Sequence, residues 1–184
     1  ARISIREPMN EDGSAGKSLG DNEVGEICYH PPIVFLGYYD QPEATASAIS
    51  QEGILYTGDM GYFKPMEGYK ALYLSGRKKF VIKQKGYNVF PVEVEEHIAG
   101  MEGVEMAEII GMKHTLFDEG IFAFVQPKPG VTITPGDVMA HCKDIAAYKR
   151  PAHVEIWPSD KEFPLTRSTK VDKLGLMAEA EAVI

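Results

Sequence analysis

The sequence has little cysteine, no long apolar run and no excess of positive charge, and each absence narrows the possible functions. Cys28 and Cys142 lie far apart in apolar patterns, which is typical of reduced core residues. No apolar run approaches the roughly 20 residues of a membrane span, and no signal-peptide pattern opens the chain. The net charge of -8 argues against general nucleic-acid binding. We therefore expect a cytoplasmic protein without an integral membrane segment, and leave peripheral membrane attachment open.

Signatures of metal sites and common hydrolases are missing as well. No histidine has the spacing to cysteines or carboxylates that a metal site needs, so we expect no metal ligands in this chain. Neither a GxSxG elbow nor a Walker phosphate loop occurs. Hydrophobic content of 44% and charged content of 25% are ordinary globular values. The length suits one domain, or one small domain with part of another.

The first 77 residues are predicted to be rich in strands. Ile3 and Ile5 alternate with polar residues, residues 24–30 alternate again, and residues 33–36 read as a buried apolar run. The opening residues resemble a strand already in progress, which suggests that the chain is a fragment. This part is therefore predicted to be a truncated β-rich subdomain.

One short helix is expected within this β-rich part. Asp40 as N-cap with Glu43 three residues later predicts a capping box. A strand over residues 54–57 should then end by presenting Gly58 and Asp59.

From about residue 78 the pattern changes to alternating strands and helices. Pro91 with an acidic first turn, and Thr134 with Asp137, each predict a helix start. Further strands are predicted over residues 105–112, 121–126 and 153–157, with a last helix over residues 172–182. The sequence thus predicts an α+β fold, in which a small carboxy-terminal domain of antiparallel or mixed sheet with flanking helices follows the β-rich remnant of a larger domain. We predict residues 1–77 as the remnant, 78–80 as a hinge and 81–184 as a mobile lid domain.

Four features could carry chemistry, and each also has an ordinary structural explanation. Asp59 could accept hydrogen bonds from a ribose diol, or cap its own turn. Arg77 could bind ribose or phosphate oxygens, or be a surface arginine. Gly86 could let a ligand approach a tight turn closely, or serve a plain hairpin. Lys170, in a polar loop, could neutralise phosphate charge, or be solvated.

The order of these segments resembles the carboxy-terminal part of the adenylate-forming superfamily, most closely acyl-CoA synthetases. The resemblance covers nearly the whole chain and rests on four segments in the family's order: GEICYHPPIVFLGYYDQPEATASAI, YTGDMGYF, SGRKKFVIKQKGYNVFPVEVEE and FPLTRSTKVDK.

The resemblance implies a two-step reaction. A carboxylic acid, with fatty acids as the first expectation, reacts with ATP and Mg²⁺ to give an acyl-adenylate, and CoA then displaces AMP to form a thioester. By motif position, Asp59 and Arg77 would bind the ribose, Tyr56 and Thr57 would belong to the same nucleotide site, and Lys170 would bridge phosphate and carboxylate oxygens.

The resemblance also implies a moving domain. Lys79 matches the family's hinge position, and Gly86, Tyr87 and Asn88 would line the path of CoA. One departure is Thr169, which stands where the family usually has glycine before its last lysine.

The family's phosphate loop and acyl pocket lie upstream of the matching region. The missing N-terminal domain would therefore be the partner of this fragment, which should be inactive alone. Two other functions stay open: a non-catalytic CoA- or nucleotide-binding module, and an adenylation domain that loads a carrier protein.

Overall fold

The computed structural model describes residues 2–30, 32, 35–113 and 119–181. The chain forms two compact units, Ala1–Lys79 (unit 1) and Phe80–Ile184 (unit 2). Unit 1 contains β1 (Arg2–Arg6), β2 (Gly25–His30), α1 (Pro42–Ala48), β3 (Leu55–Met66) and β4 (Tyr69–Arg77). Unit 2 contains β5 (Ile82–Gln84), β6 (Tyr87–Val89), α2 (Pro91–Ala99), β7 (Val104–Lys113), β8 (Glu119–Pro127), α3 (Pro135–His141), β9 (His153–Ile156) and α4 (Lys173–Glu181).

Unit 1 is an antiparallel sheet in the order β1-β2-β3-β4. Its buried apolar cluster is small and centres on Cys28, Ile54 and Tyr56. The predicted strand over residues 54–57 is too short, because β3 is hydrogen-bonded to β2 on one side and to β4 on the other and continues to Met66. Gly58 and Asp59 thus lie within a strand rather than after it.

Two local predictions in unit 1 are wrong. Asp40 does not cap α1, because it adopts the left-handed conformation (φ 54°) outside the helix; Gln41 is the N-cap and makes no side-chain cap bond. Residues 33–36 are not a buried run where they are described, since Phe35 is 43% exposed and Leu36 is fully exposed beyond the end of β2. Ile33 and Val34 lie outside the described residues.

Unit 2 is built on a three-stranded mixed sheet, with β7 and β8 antiparallel and β8 and β9 parallel. Both faces of this sheet are covered. Ile121, Ala123 and Val125 of β8 join the core that α2, α3 and the β5–β6 hairpin cover, whereas Phe122 and Phe124 join a second core with Trp157, Phe163 and α4 residues. The antiparallel and mixed sheets with flanking helices confirm the predicted α+β fold class.

The helix starts of unit 2 follow their local signals. Pro91 occupies the first turn of α2, where proline needs no backbone donor. Thr134 and Asp137 form the predicted capping box, in which each side chain accepts from the other's backbone N–H.

Both cysteines are buried and free, as predicted. Burial raises the pKa of Cys28 to about 12, with a smaller contribution from the nearby Glu26 carboxylate. Burial also raises the pKa of Cys142. Both thiols therefore stay protonated at neutral pH and behave as apolar core groups.

Candidate functional site

Asp59 and Arg77 face each other across the β3–β4 ladder. They are cross-strand partners, and Arg77 Nη1 lies 3.1 Å from Asp59 Oδ1. Their side chains are 35% and 55% exposed, respectively. A half-exposed carboxylate with a guanidinium beside it can accept hydrogen bonds from hydroxyl groups while the cation remains open to an anion. The pair can therefore hold a sugar that carries a phosphate.

The backbone around Asp59 is held by its neighbours in the strand. Thr57 Oγ1 donates to the Ile27 carbonyl oxygen at 2.7 Å and accepts from Asp59 N–H at 3.1 Å. Gly58 has φ +76°, a conformation that glycine adopts without steric cost. Thr57 thus fixes the position of Asp59, and its hydroxyl is already engaged.

Glu26 is a residue of this region that the motif analysis does not assign. Its side chain is 4% exposed, Oε1 accepts the Gly58 N–H at 3.0 Å and Oε2 accepts from Lys78 Nζ at 2.7 Å. One buried carboxylate therefore supports the strand backbone before Asp59 and the residue after Arg77. A glutamate flanked by glycine and isoleucine in an alternating strand was the available signal, because a charge at a buried position needs a partner.

Tyr56 lies in the core of unit 1, although the motif places it in the nucleotide site. It is 5% exposed, and its hydroxyl accepts the Gly16 N–H at 2.8 Å. Burial raises the pKa of its phenol. In this arrangement Tyr56 ties β3 to the backbone at Gly16 and presents little surface to a ligand.

Lys79 is the last residue of unit 1 and lies in a short 3₁₀ turn, Lys78–Phe80. The preceding residue, Lys78, is tied to unit 1 by Glu26. Lys79, at which the chain passes from unit 1 to unit 2, therefore directly follows a residue held by an ion pair. The hinge role of Lys79 stays a prediction.

Gly86 lies in a two-residue hairpin turn between β5 and β6. Lys85 (φ 52°) and Gly86 (φ 79°) are both left-handed, which is the type I′ geometry that joins twisted strands. A side chain at Gly86 would meet no heavy atom within 4 Å, so the backbone there is open. Tyr87 stacks on Tyr148, with ring centroids 4.3 Å apart, and Asn88 is exposed on β6.

Lys170 is exposed on a tight turn before α4. An isolated bridge joins Leu165 and Val171 at the base of this turn. Thr166 N–H donates to the Lys170 carbonyl oxygen at 2.7 Å, and Lys170 N–H donates to Thr166 Oγ1 at 3.3 Å. Thr169 has φ 59°, a left-handed conformation that is unusual for a β-branched residue.

The structure therefore groups the candidate residues into three sites. In unit 1, Thr57 and Asp59 of β3 and Arg77 of β4 form one site, and Glu26 of β2 contacts its neighbours Gly58 and Lys78. In unit 2, the Gly86 turn and the Lys170 turn lie on separate segments.

Comparison with known proteins shows similarity to one enzyme family. Residues 93–170 match the model of the AMP-binding enzyme C-terminal domain. ATP-bound MatB from Rhodopseudomonas palustris superposes with a TM-score of 0.86 at 30% identity, covering 99% of this chain and 34% of the MatB chain. Nearly the whole chain is therefore similar to the carboxy-terminal part of adenylate-forming enzymes. The amide bond synthetase McbA from Marinactinospora thermotolerans gives a TM-score of 0.82 at 28% identity, over 97% of this chain and 34% of McbA.

Sequence relatives of this chain include CoA ligases. YdaB of Bacillus subtilis, provisionally named an acyl–CoA ligase, is 41% identical over 92% of this chain and 32% of its own length. The sulfoacetate–CoA ligase of Cupriavidus necator is 33% identical over 91% of this chain and 32% of its own length. The chain therefore spans about a third of the length of the curated relatives it matches.

Two further findings concern metals and membranes. Within the described residues, no group of three or more His, Cys, Asp or Glu side chains could hold a metal ion. In the same part of the chain, no helix is both long enough and apolar enough to cross a membrane.

Proposed function

We propose that the chain is the carboxy-terminal third of an AMP-forming acid–CoA ligase. The matches to CoA ligases over more than nine-tenths of the chain support this proposal, and so does the placement of the motif residues. The observation that carries it is the Asp59–Arg77 pair, which places an acceptor for ribose hydroxyls on β3 beside a cation on the neighbouring strand β4.

The first step would form an acyl-adenylate. A carboxylate oxygen of the acid attacks the α-phosphorus of ATP, and the bond from that phosphorus to the bridging oxygen of pyrophosphate breaks. Asp59 would accept hydrogen bonds from the ribose hydroxyls while Arg77 contacts the same sugar. Negative charge builds on the phosphoryl oxygens in the transition state, and a cation already in place there is most effective. Lys170 would supply that cation.

The second step would form a thioester. The sulfur of CoA attacks the acyl carbonyl carbon, AMP leaves with the electron pair of the broken C–O bond, and the thiol proton is lost to solvent or to AMP. The open backbone at Gly86 offers room for a thin pantetheine chain. Tyr87 and Asn88 would line the same path, and rotation at Lys79 would exchange the two arrangements.

Mg²⁺ is implied by the family chemistry, but the described residues of this chain do not provide a set of ligands for it. We therefore assign no step to Mg²⁺ through these residues. ATP, CoA and the acid are substrates in this proposal, and the rest of the full-length protein would complete their sites. Fatty acids remain the first class of acid to test, together with the small polar acids for which some relatives are named.

The test is the variant Lys170→Ala in the full-length protein, with the two steps measured separately. Adenylate formation should fall on the order of 10² to 10³-fold, because one charge-stabilising group is lost. Thioester formation from supplied acyl-adenylate should largely survive. Equal loss in both steps would refute the role assigned to Lys170. Transfer of the acyl group to a phosphopantetheinyl protein instead of free CoA would favour the carrier-loading alternative.

A further inference from the structure

Lys173 begins α4, three residues after Lys170, and its ammonium group is enclosed by acceptors. Nζ donates to Glu95 of α2 and, at 2.9 Å, to the carbonyl oxygen of Ile109 in β7. It also lies 3.3 Å from Glu108 Oε2. Glu95 Oε1 additionally accepts the Ile109 N–H at 3.0 Å. The cluster therefore joins the start of α4 to both α2 and β7.

The three charged side chains are largely withdrawn from water. Lys173, Glu95 and Glu108 are 15%, 17% and 14% exposed, respectively. Burial raises the pKa of Glu108, although the Lys173 ammonium opposes this shift. Buried ion clusters rarely add net stability compared with apolar packing, because desolvation offsets the attraction. What such a cluster does supply is one defined position for each of its members.

The residues between Lys173 and Lys170 are themselves bonded to the other side of the Lys170 turn. Asp172 N–H donates to the Pro164 carbonyl oxygen at 2.7 Å, and the bridge between Leu165 and Val171 follows directly. Phe163 is buried and stacks on Trp157, with ring centroids 4.9 Å apart. Both ends of the turn are therefore anchored, and Lys173 is the polar anchor on its carboxy-terminal side.

We infer that Lys173 is a positioning residue for Lys170: it holds the base of the turn so that the Lys170 ammonium returns to one place for adenylate formation. This inference rests on the proposed function. Because α2 begins two residues after β6, the same helix that holds Lys173 through Glu95 also follows the Gly86 hairpin. The cluster should nevertheless matter mainly for the first step, since only that step uses Lys170.

The test compares Lys173→Met and Lys173→Arg in the full-length protein. Misplacement of a catalytic group by about 1 Å can cost 10²-fold, so Lys173→Met should lower kcat for adenylate formation on the order of 10 to 10²-fold, with KM for ATP little changed. Thioester formation from supplied acyl-adenylate should stay near wild type. Lys173→Arg retains the cation and should recover most of the lost rate. Lys161→Met, which breaks the exposed Lys161–Glu179 pair at α4, is the matched control and should leave both steps unchanged.

Lys173→Met alone leaves the buried carboxylates of Glu95 and Glu108 without their cation and could destabilise the fold. The double variant Lys173→Met/Glu108→Gln removes one of those charges and should show the same step-selective loss. Equal loss in both steps, or no loss in either, would overturn the positioning role. The reference is Lys170→Ala: if that variant forms adenylate normally, the proposed function of Lys170 fails first, and the role of Lys173 fails with it.

Discussion

Thr169 occupies a backbone conformation that suits glycine. Its φ of 59° destabilises an L-residue by about 1–2 kcal/mol relative to glycine. Replacement by glycine removes this strain, but glycine loses more conformational entropy on folding, which offsets part of the gain. Thr169→Gly should therefore raise the free energy of unfolding of unit 2 by about 0.5–1 kcal/mol. Urea denaturation followed by the fluorescence of Trp157 measures this change, and Thr169→Ala is the control that should show no gain. A loss of stability in Thr169→Gly would show that the left-handed backbone at Thr169 does not strain the folded protein.

Glu26 is expected to affect nucleotide binding without touching the nucleotide. Glu26→Ala removes the acceptor of the Gly58 N–H and the partner of Lys78, and an unpaired buried donor costs about 1–3 kcal/mol. In the full-length protein, KM for ATP should rise on the order of tenfold, because the β3 backbone before Asp59 is no longer fixed. Glu26→Gln keeps an acceptor for Gly58 and should show a smaller rise. Equal effects of the two substitutions would assign the role to charge alone.

The buried Cys28 thiol should make the free energy of unfolding of unit 1 depend on pH in the alkaline range. The pKa of its thiol is about 12 in the folded chain and about 8.5 in an unfolded one. The unfolded state loses this proton first, so the stabilising contribution is complete below about pH 8.5 and is lost as pH rises towards 12. The free energy of unfolding should fall by up to about 1.4 kcal/mol per pH unit in this window.

Cys28→Ser is the control for that pH dependence, since serine does not titrate in the same window. Urea denaturation between pH 8 and pH 11, followed by circular dichroism, should give a steeper decline for the wild type than for Cys28→Ser. The buried Tyr56 phenol titrates in both proteins, and because Cys28 contributes to raising its pKa, the difference reports the thiol together with this coupling. Parallel declines would show that the thiol does not titrate as its burial requires.

At the scale of elements, the β5–β6 hairpin provides a test of whether the turn at Gly86 contributes to thioester formation. Gly86→Ala places a side chain at φ +79°. The substitution should therefore lower the stability of the hairpin by about 1 kcal/mol, and the added methyl group narrows the proposed CoA path. In the full-length protein, thioester formation should slow while adenylate formation is preserved.

Gly130 offers a matched control for the hairpin. It has the same φ of +79°, also with open space at the position of a side chain, but it lies in a turn before α3 that no motif assigns to CoA. Gly130→Ala should cost similar stability and leave both steps intact. Impairment of thioester formation by both variants would attribute the effect to stability rather than to the turn at Gly86.

Elements with complete local signals could be predicted from the sequence, and those that depend on neighbours could not. The capping box of Thr134 and Asp137, and Pro91 at the start of α2, are local devices, and they appear as predicted. The full length of β3 could not be predicted, because its ladder beyond Asp59 is specified by pairing with β4. Asp40 also failed as an N-cap, since the preceding turn places it outside α1.

The candidate site shows the same division. The motif residues Asp59 and Arg77 were predicted by their order in the chain, and the structure pairs them across adjacent strands. The supporting contacts of Glu26 and Lys173 could not be predicted, because their partners are distant in sequence, at Lys78 and at Glu95 and Glu108. A charge at a buried position signals that a partner is needed, but the sequence does not say which residue that partner is.

At the scale of the whole molecule, the chain divides between Lys79 and Phe80 into two units with separate cores. Asp59 and Arg77 belong to unit 1, whereas Lys170 and Gly86 belong to unit 2. The proposed reaction thus draws on residues of both units. It also requires the remaining two-thirds of the length that the relatives possess.

The nucleotide product that the full-length protein forms from ATP with a panel of carboxylic acids and CoA tests the proposed reaction most directly. We expect acid-dependent exchange of pyrophosphate into ATP, followed by stoichiometric AMP and thioester once CoA is added. The 184-residue chain alone should give neither product. Formation of ADP, or the absence of acid-dependent exchange across fatty, aromatic and small polar acids, would contradict the assignment as an AMP-forming acid–CoA ligase.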